Sequence, residues 1–185
     1  QHVHDVVEKF KNLGGTVDVI YASPFLRTQE TADTAARLLH QKVHTAERRG
    51  EIRHGSVCEG KNHSVCLVSD KRVSSTQSDD GGESWDDVRA RLMQFIADVE
   101  AKHRGKQILI VSHADPLWLF SKIAAGVTGQ EIVAEKDTPG NWYPGTGELK
   151  KISWQTIPRN ELGELDVHRP FVDEFPVVCP QCKGA

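Results

Sequence analysis

The stretch Ile108-Leu109-Ile110-Val111, inside QILIVS (107–112), is a short apolar run with no polar alternation. A strand without a polar side is expected to be buried on both faces, as in a parallel sheet covered by helices above and below. The run ends abruptly at Ser112-His113, and Pro116 then sits near the start of a helix reaching to about Ala125. A second strand is expected at VDVIYAS (17–23), rich in β-branched residues and stopped by Pro24.

Helical spacing surrounds both strands. Val3, Val6, Val7, Phe10 and Leu13 repeat on one face until Gly14-Gly15. Thr31, Ala32, Ala35, Ala36 and Leu39 do the same between Thr28 and His40. Ser84 starts a further helix, with Asp87 completing a capping box and Trp85, Val88, Leu92, Phe95, Ile96 and Val99 forming its apolar stripe. Residues 41–82 read as irregular, and VSSTQSDDGG (73–82) as a turn-rich loop. Helices alternating with strands in this order predict an α/β fold, a mostly parallel sheet flanked by helices. Beyond Thr138 the texture changes: TPGNWYPGTG is loop-like, LKKISW is one short strand, and the remaining tail is an irregular extension without helical period. A boundary near Pro158 divides residues 1–157 from 158–185.

Composition narrows the function. Lys and Arg total 23 against 26 Asp and Glu, a net charge of −3, so bulk attraction to nucleic acid or an anionic membrane is not expected. The longest apolar run is far too short to span a bilayer, and the polar, amphipathic start QHVHDVVEKF is not a signal peptide. Four cysteines, Cys58, Cys66, Cys179 and Cys182, suggest no disulfide framework, and a cytoplasmic location is expected. The chain lacks an initiator Met and is expected to be a piece of something longer at both ends.

In open α/β sheets, sites gather at the carboxyl ends of strands. SPFLRT places Arg27 just after the first strand, and SHAD places His113 at the end of the second. A guanidinium is planar, permanently charged and able to grip phosphate oxygens in pairs. A histidine beside it can hydrogen-bond the same anion. Glu51 is a candidate general acid for a leaving oxygen. Plainer readings stand beside these. Arg27 is also suited to a surface ion pair with Glu30 or Asp33, His113 to a structural hydrogen bond, and Glu51 to simple solvation. Ser84 reads as a helix cap. His2, His4, His44, His63 and His103 lie in polar surroundings without metal-ligand spacing and read as surface residues.

Four segments in order resemble the histidine phosphatase (phosphoglycerate mutase-like) family. VIYASPFLRTQETADTAARLL resembles its S-P-x-x-R-x-x-x-T-A segment, EIRHGSVCEGK its E-I-x-x-G-x-x-x-G-K, GGESWDDVRARL its G-E-S helix start, and ILIVSHAD its second histidine motif. The likeness covers about residues 3–155. It implies that Arg27 and His113 bind phosphate, that His113 also stabilises the transferring group, and that Glu51 is the acid. It implies phosphoryl transfer to a nucleophilic histidine without a metal. Its substrate is expected to be a phosphate-containing small molecule.

Arg53-His54-Gly55 looks like that family's nucleophile triplet but stands in the wrong place. The nucleophile follows the first strand and precedes the S-P-x-x-R segment, whereas this triplet comes after it. TAERRGEI ahead of it has no apolar run to form a central strand. The resemblance therefore implies that the first strand and the nucleophile lie upstream of Gln1, so that the sheet lacks its first strand and these residues alone are inactive. Ala114 also stands where the family usually has Gly, a methyl group near the anion.

The tail resembles something else. GELDVHRPFVDEFPVVCPQCKG (163–184) is similar to the segment of isoleucyl-tRNA synthetases that leaves the editing insertion and ends in C-x-x-C, with Leu165, Asp166, His168, Arg169, Pro170, Phe171, Val172 and Asp173 fitting. That likeness implies an internal fragment of an isoleucine-tRNA ligase, with ATP and tRNA handled only through the parent chain and the rest of the synthetase as partner. The H-I-G-H and K-M-S-K-S signatures are not in this sequence. Cys179 and Cys182 are half of a tetrahedral zinc set or two plain structural cysteines; a redox pair is disfavoured because no βαβ unit follows. Two alternatives remain open: a free-standing histidine phosphatase acting on a phosphomonoester, and a non-catalytic structural module.

Overall fold

The computed structural model describes residues 2–47, 50–56, 81–127, 131–132, 143–152, 159–164 and 166, and the backbone of 177–178. Chain order is α1 (His2–Asn12), β1 (Val19–Ala22), α2 (Leu26–Leu39), β2 (Val43–Thr45), α3 (Trp85–Lys102), β3 (Ile108–Val111), α4 (Ala114–Ala124), β4 (Leu149–Lys150) and β5 (Val177–Val178). Strands β1 to β3 make one parallel sheet in the order β2-β1-β3, while β4 and β5 pair antiparallel. The α/β architecture expected from the alternation of elements is the one observed.

β1 is central. Its residues pair Val19 with Ile108 through Ala22 with Val111 on one edge, and Ile20 with Val43 through Ala22 with Thr45 on the other. Side chains alternate between faces of the sheet. Ile20 and Ala22 are fully buried against Ala32 and Ala36 of α2, with Leu109 and Val111 of β3 packed against that cluster. Ile110 points the other way, into the larger cluster built by α3 and α4. There Trp118, Leu119, Ile123, Val88 and Ile96 are almost fully buried, and Trp85 packs edge-on to Trp118 at 5.2 Å. Every residue of the expected α3 stripe is buried. α1 packs on α2 and is stopped by Gly14, whose φ of +77° suits glycine, and by Gly15, where a Cβ would collide with the Phe10 ring.

Three expectations need correction. β2 falls inside a stretch read as irregular; it has three residues, one apolar, and is held by its ladder to β1 rather than by its own pattern. All four residues of β3 are partly exposed, not buried on both faces, because β1 is the sole ladder partner of β3 among the described residues. His103 is not a plain surface residue: its Nε2 lies 2.9 Å from the Tyr21 hydroxyl, with the two rings edge-to-face. The Ser84 cap is as expected, its hydroxyl accepting the Asp87 N–H and the Asp87 carboxylate accepting the Ser84 N–H. Among the described residues, no helix is long and apolar enough to cross a membrane.

Candidate active site

Ser23 extends β1 by one step, its N–H donating to the Val111 carbonyl at 3.0 Å. The chain then turns sharply through Pro24 and Phe25. The turn is fixed by Thr28, whose hydroxyl reaches the Ser23 and Phe25 carbonyls at 3.0 and 2.7 Å, and by the Gln29 amide on the Ser23 carbonyl. Arg27 therefore emerges from the first turn of α2, directly above the end of β1.

β3 ends level with β1, and His113 is the residue capping α4, in extended backbone with φ −119° and ψ 169°. Its side chain makes no cap bond and faces β1 instead. Nε2 lies 2.8 Å from the Ser23 hydroxyl, and the Arg27 guanidinium donates to Nδ1 at 2.7 Å. Because a guanidinium can only donate, Nδ1 must accept. The ring is then neutral, with its proton on Nε2 directed to Ser23. Burial, then the positive charges of Arg27 and Arg91, depress the His113 pKa to about 4. The Phe25 ring meets the imidazole edge-on at 5.0 Å and lies 4.8 Å beneath the Arg27 guanidinium.

Glu51 closes the third side. One carboxylate oxygen accepts the Ile52 N–H at 3.1 Å; the other lies 3.5 Å from His113 Nδ1 and 3.6 Å from the Arg27 guanidinium. Burial is the main force raising the Glu51 pKa, with the nearby charge of Asp115 adding to it and the Ile52 N–H, Arg27 and Arg91 opposing. Asp115, in the first turn of α4, accepts a 2.7 Å hydrogen bond from the Tyr143 hydroxyl. Burial and this carboxylate push the Tyr143 phenol above its ordinary range.

Arg27, Glu51 and His113, chosen from the sequence, thus lie together. Arg27 turns to His113 and Glu51, the outcome its surface-pair reading with Glu30 or Asp33 did not anticipate. Arg53 goes elsewhere: its largely exposed guanidinium lies 3.6 Å from Glu83. Cys179 and Cys182 lie outside the described residues. Among the described residues, no group of three or more His, Cys, Asp or Glu has the arrangement of a metal site. The site combines a fixed cation, a neutral histidine and a carboxyl with raised pKa at the N-termini of two helices, whose free N–H groups favour anions.

Residues 1–136 match the histidine phosphatase superfamily (branch 1). The chain belongs to that superfamily. The bifunctional protein Rv2228c of Mycobacterium tuberculosis is 28% identical over 116 residues, covering 60% of this chain and 32% of that protein, so the match spans about a third of its length. A Hydrogenobacter thermophilus protein provisionally named phosphoserine phosphatase 2 is 28% identical over 144 residues, covering 66% of this chain and 70% of that protein. Among solved structures, mycobacterial glucosyl-3-phosphoglycerate phosphatase Rv2419c with VO3 has the same fold, with a TM-score of 0.70 at 16% identity over 95% of this chain and 81% of that one. Bacillus stearothermophilus YhfR gives 0.67 at 20% identity over 83% and 75%. None of these four proteins is a tRNA synthetase by name. The isoleucyl-tRNA synthetase likeness rests on tail residues beyond the matched range, most of which lie outside the described residues.

The sequence missed five contributors. Ser23 and Phe25 sit in the SPFLRT segment but carry no chemical signal of their own. Asp115 lies in SHAD, and only the path of a distant loop brings Tyr143 to it. Arg91 lies off the apolar stripe of α3, yet its guanidinium reaches the Gly50 and Glu51 carbonyls and the Glu83 carboxylate.

Proposed function

We propose that this histidine phosphatase domain binds the phosphate of a small phosphomonoester, with Arg27 and His113 on the phosphoryl oxygens and Glu51 as the proton donor to the leaving oxygen. The observation that carries this reading is the meeting of Arg27, His113 and Glu51 within 2.7 to 3.6 Å of one another at two helix N-termini. A phosphate entering there displaces the guanidinium from Nδ1. It also supplies the negative charge that lets His113 take a proton and donate to the anion. Glu51, with its raised pKa, keeps a proton to higher pH than an ordinary glutamate and can deliver it as the ester bond breaks.

These three residues supply grip and acid, not the nucleophile. Phosphoryl transfer to a histidine requires another imidazole in line with the leaving oxygen. His54 does not fill that role in this reading, since it stands on an irregular segment and its neighbour Arg53 approaches Glu83. The likeness to phosphatases favours a phosphomonoesterase over the synthetase reading, which rests on the sequence pattern of the tail alone.

Titration with inorganic phosphate and with vanadate, followed by calorimetry, tests the reading. Binding that weakens at least tenfold in Arg27→Ala and in His113→Ala is expected. Equal affinity in both variants would overturn it. A parallel assay with p-nitrophenyl phosphate addresses the nucleophile: turnover abolished by His54→Ala would return that role to His54.

A further inference from the structure

Glu51 belongs to a segment, residues 50–56, with neither helix nor strand to fix it. An acid must nonetheless be held to within a fraction of an ångström of its working position. Arg91, from the second turn of α3, supplies the hold. One of its nitrogens donates to the Gly50 carbonyl at 3.0 Å and the Glu51 carbonyl at 3.3 Å. The same guanidinium grips the Glu83 carboxylate with two bonds of 2.8 and 3.1 Å. Glu83 completes the stitch on the far side of Glu51. Its carboxylate accepts the Arg53 N–H at 3.0 Å, and its own N–H donates to the Arg53 carbonyl at 2.7 Å.

The backbone is thus pinned to α3 before and after Glu51, while the buried Ile52 side chain anchors the segment in the α3–α4 core. The Glu83 side chain is only 6% exposed and that of Arg91 17%. A buried pair of this kind is poor value as stabilisation alone, because desolvation offsets the attraction. Its geometry has another use: a rigid planar fork fixes both direction and height of what it holds.

We propose that Arg91 is a positioning residue for Glu51, with Glu83 orienting the Arg91 fork, so that the Glu51 carboxyl is held against His113 and Arg27. This rests on the reading of Glu51 as the acid. Arg27, Arg91 and Asp115 are the charged neighbours that act on the Glu51 carboxyl.

The test is a coupling between Arg27 and Glu51 read by NMR titration of the Glu51 carboxyl. Arg27→Met removes a positive charge 3.6 Å from the Glu51 carboxylate and should raise the Glu51 midpoint further. The same substitution made in an Arg91→Lys background should produce a shift smaller by about half or more. Lysine keeps the charge but cannot fork. Arg91→Met and Glu83→Gln serve as further backgrounds, with circular dichroism reporting whether each is folded. A purely structural role would lower the melting temperature and leave the coupling intact; an undiminished coupling in folded Arg91→Lys overturns the proposal. Inorganic phosphate binding by the unsubstituted chain is measured alongside. Its absence would refute the phosphatase reading of the site, whereas intact binding with undiminished coupling refutes only the role given to Arg91.

Discussion

The Arg27 guanidinium donates to Nδ1 of His113 across 2.7 Å, closing a chain of contacts from α2 through the imidazole to the buried hydroxyl of Ser23. Two residues that lie 86 positions apart in sequence thereby share one site. In the proposed reading, an anion takes the position that Arg27 occupies on Nδ1.

Arg27→Ala should weaken phosphate binding by roughly ten- to a hundredfold, the loss of one charge-assisted contact of about 1.5–3 kcal/mol. Arg27→Lys should recover part of this and no more, because an ammonium binds as a point charge without the paired geometry. Calorimetric titration of the three proteins with inorganic phosphate checks the order.

His113 makes the fold sensitive to acid. Its pKa falls from 6.5 to about 4 on folding. The unfolded chain therefore binds the proton more readily between these values, and stability drops as pH falls from about 6.5 towards 4. The full shift corresponds to roughly 3 kcal/mol. Glu51 runs the other way: its raised pKa means that the fold holds that proton more tightly, so stability is gained as pH falls through its folded value. Comparing unsubstituted protein with His113→Gln by urea denaturation at pH 7 and pH 4.5 isolates the histidine. The advantage of the unsubstituted chain should shrink on acidification.

Ser84→Ala should cost about 1 kcal/mol of stability, since it removes the hydroxyl that accepts the Asp87 N–H at the start of α3. Ser84→Gly should cost only a few tenths, and thermal denaturation orders the two.

Ile123→Ala, at a fully buried position between α3 and α4, should cost about 2–5 kcal/mol through lost burial and the cavity left behind. Leu26→Ala, at a residue 74% exposed, should change stability by less than about 0.5 kcal/mol. Denaturant midpoints with unchanged slopes would show both effects.

Much of this was legible from local pattern. The stripe of α3 declared itself by its helical period, and the strands at 19–22 and 108–111 by short apolar, β-branched runs. Arg27 and His113 were found because each follows directly on a strand, where chain direction alone decides which end bears chemistry. Glu51 was less accessible: no strand end marks GEIRHG, and a loop glutamate is as readily read as solvated, so the ordered resemblance carried most of that choice. β2 escaped because its order comes from its neighbour. Tyr143 and Asp115 meet through loop packing, which no short-range pattern encodes. Arg91 was hidden for a different reason. A helical arginine is ordinarily solvated, and its inward turn depends on Glu83 waiting to receive it.

The level pairing of Ala22 with Val111 has an evolutionary corollary. Each residue of a strand advances the chain by about 3.3 Å and reverses the side it faces. Deleting one residue from either strand would carry Arg27 or His113 away from the other and turn the following side chain to the opposite surface. Descendants of this sequence can vary the chemical character of those eight ladder positions, but not their number.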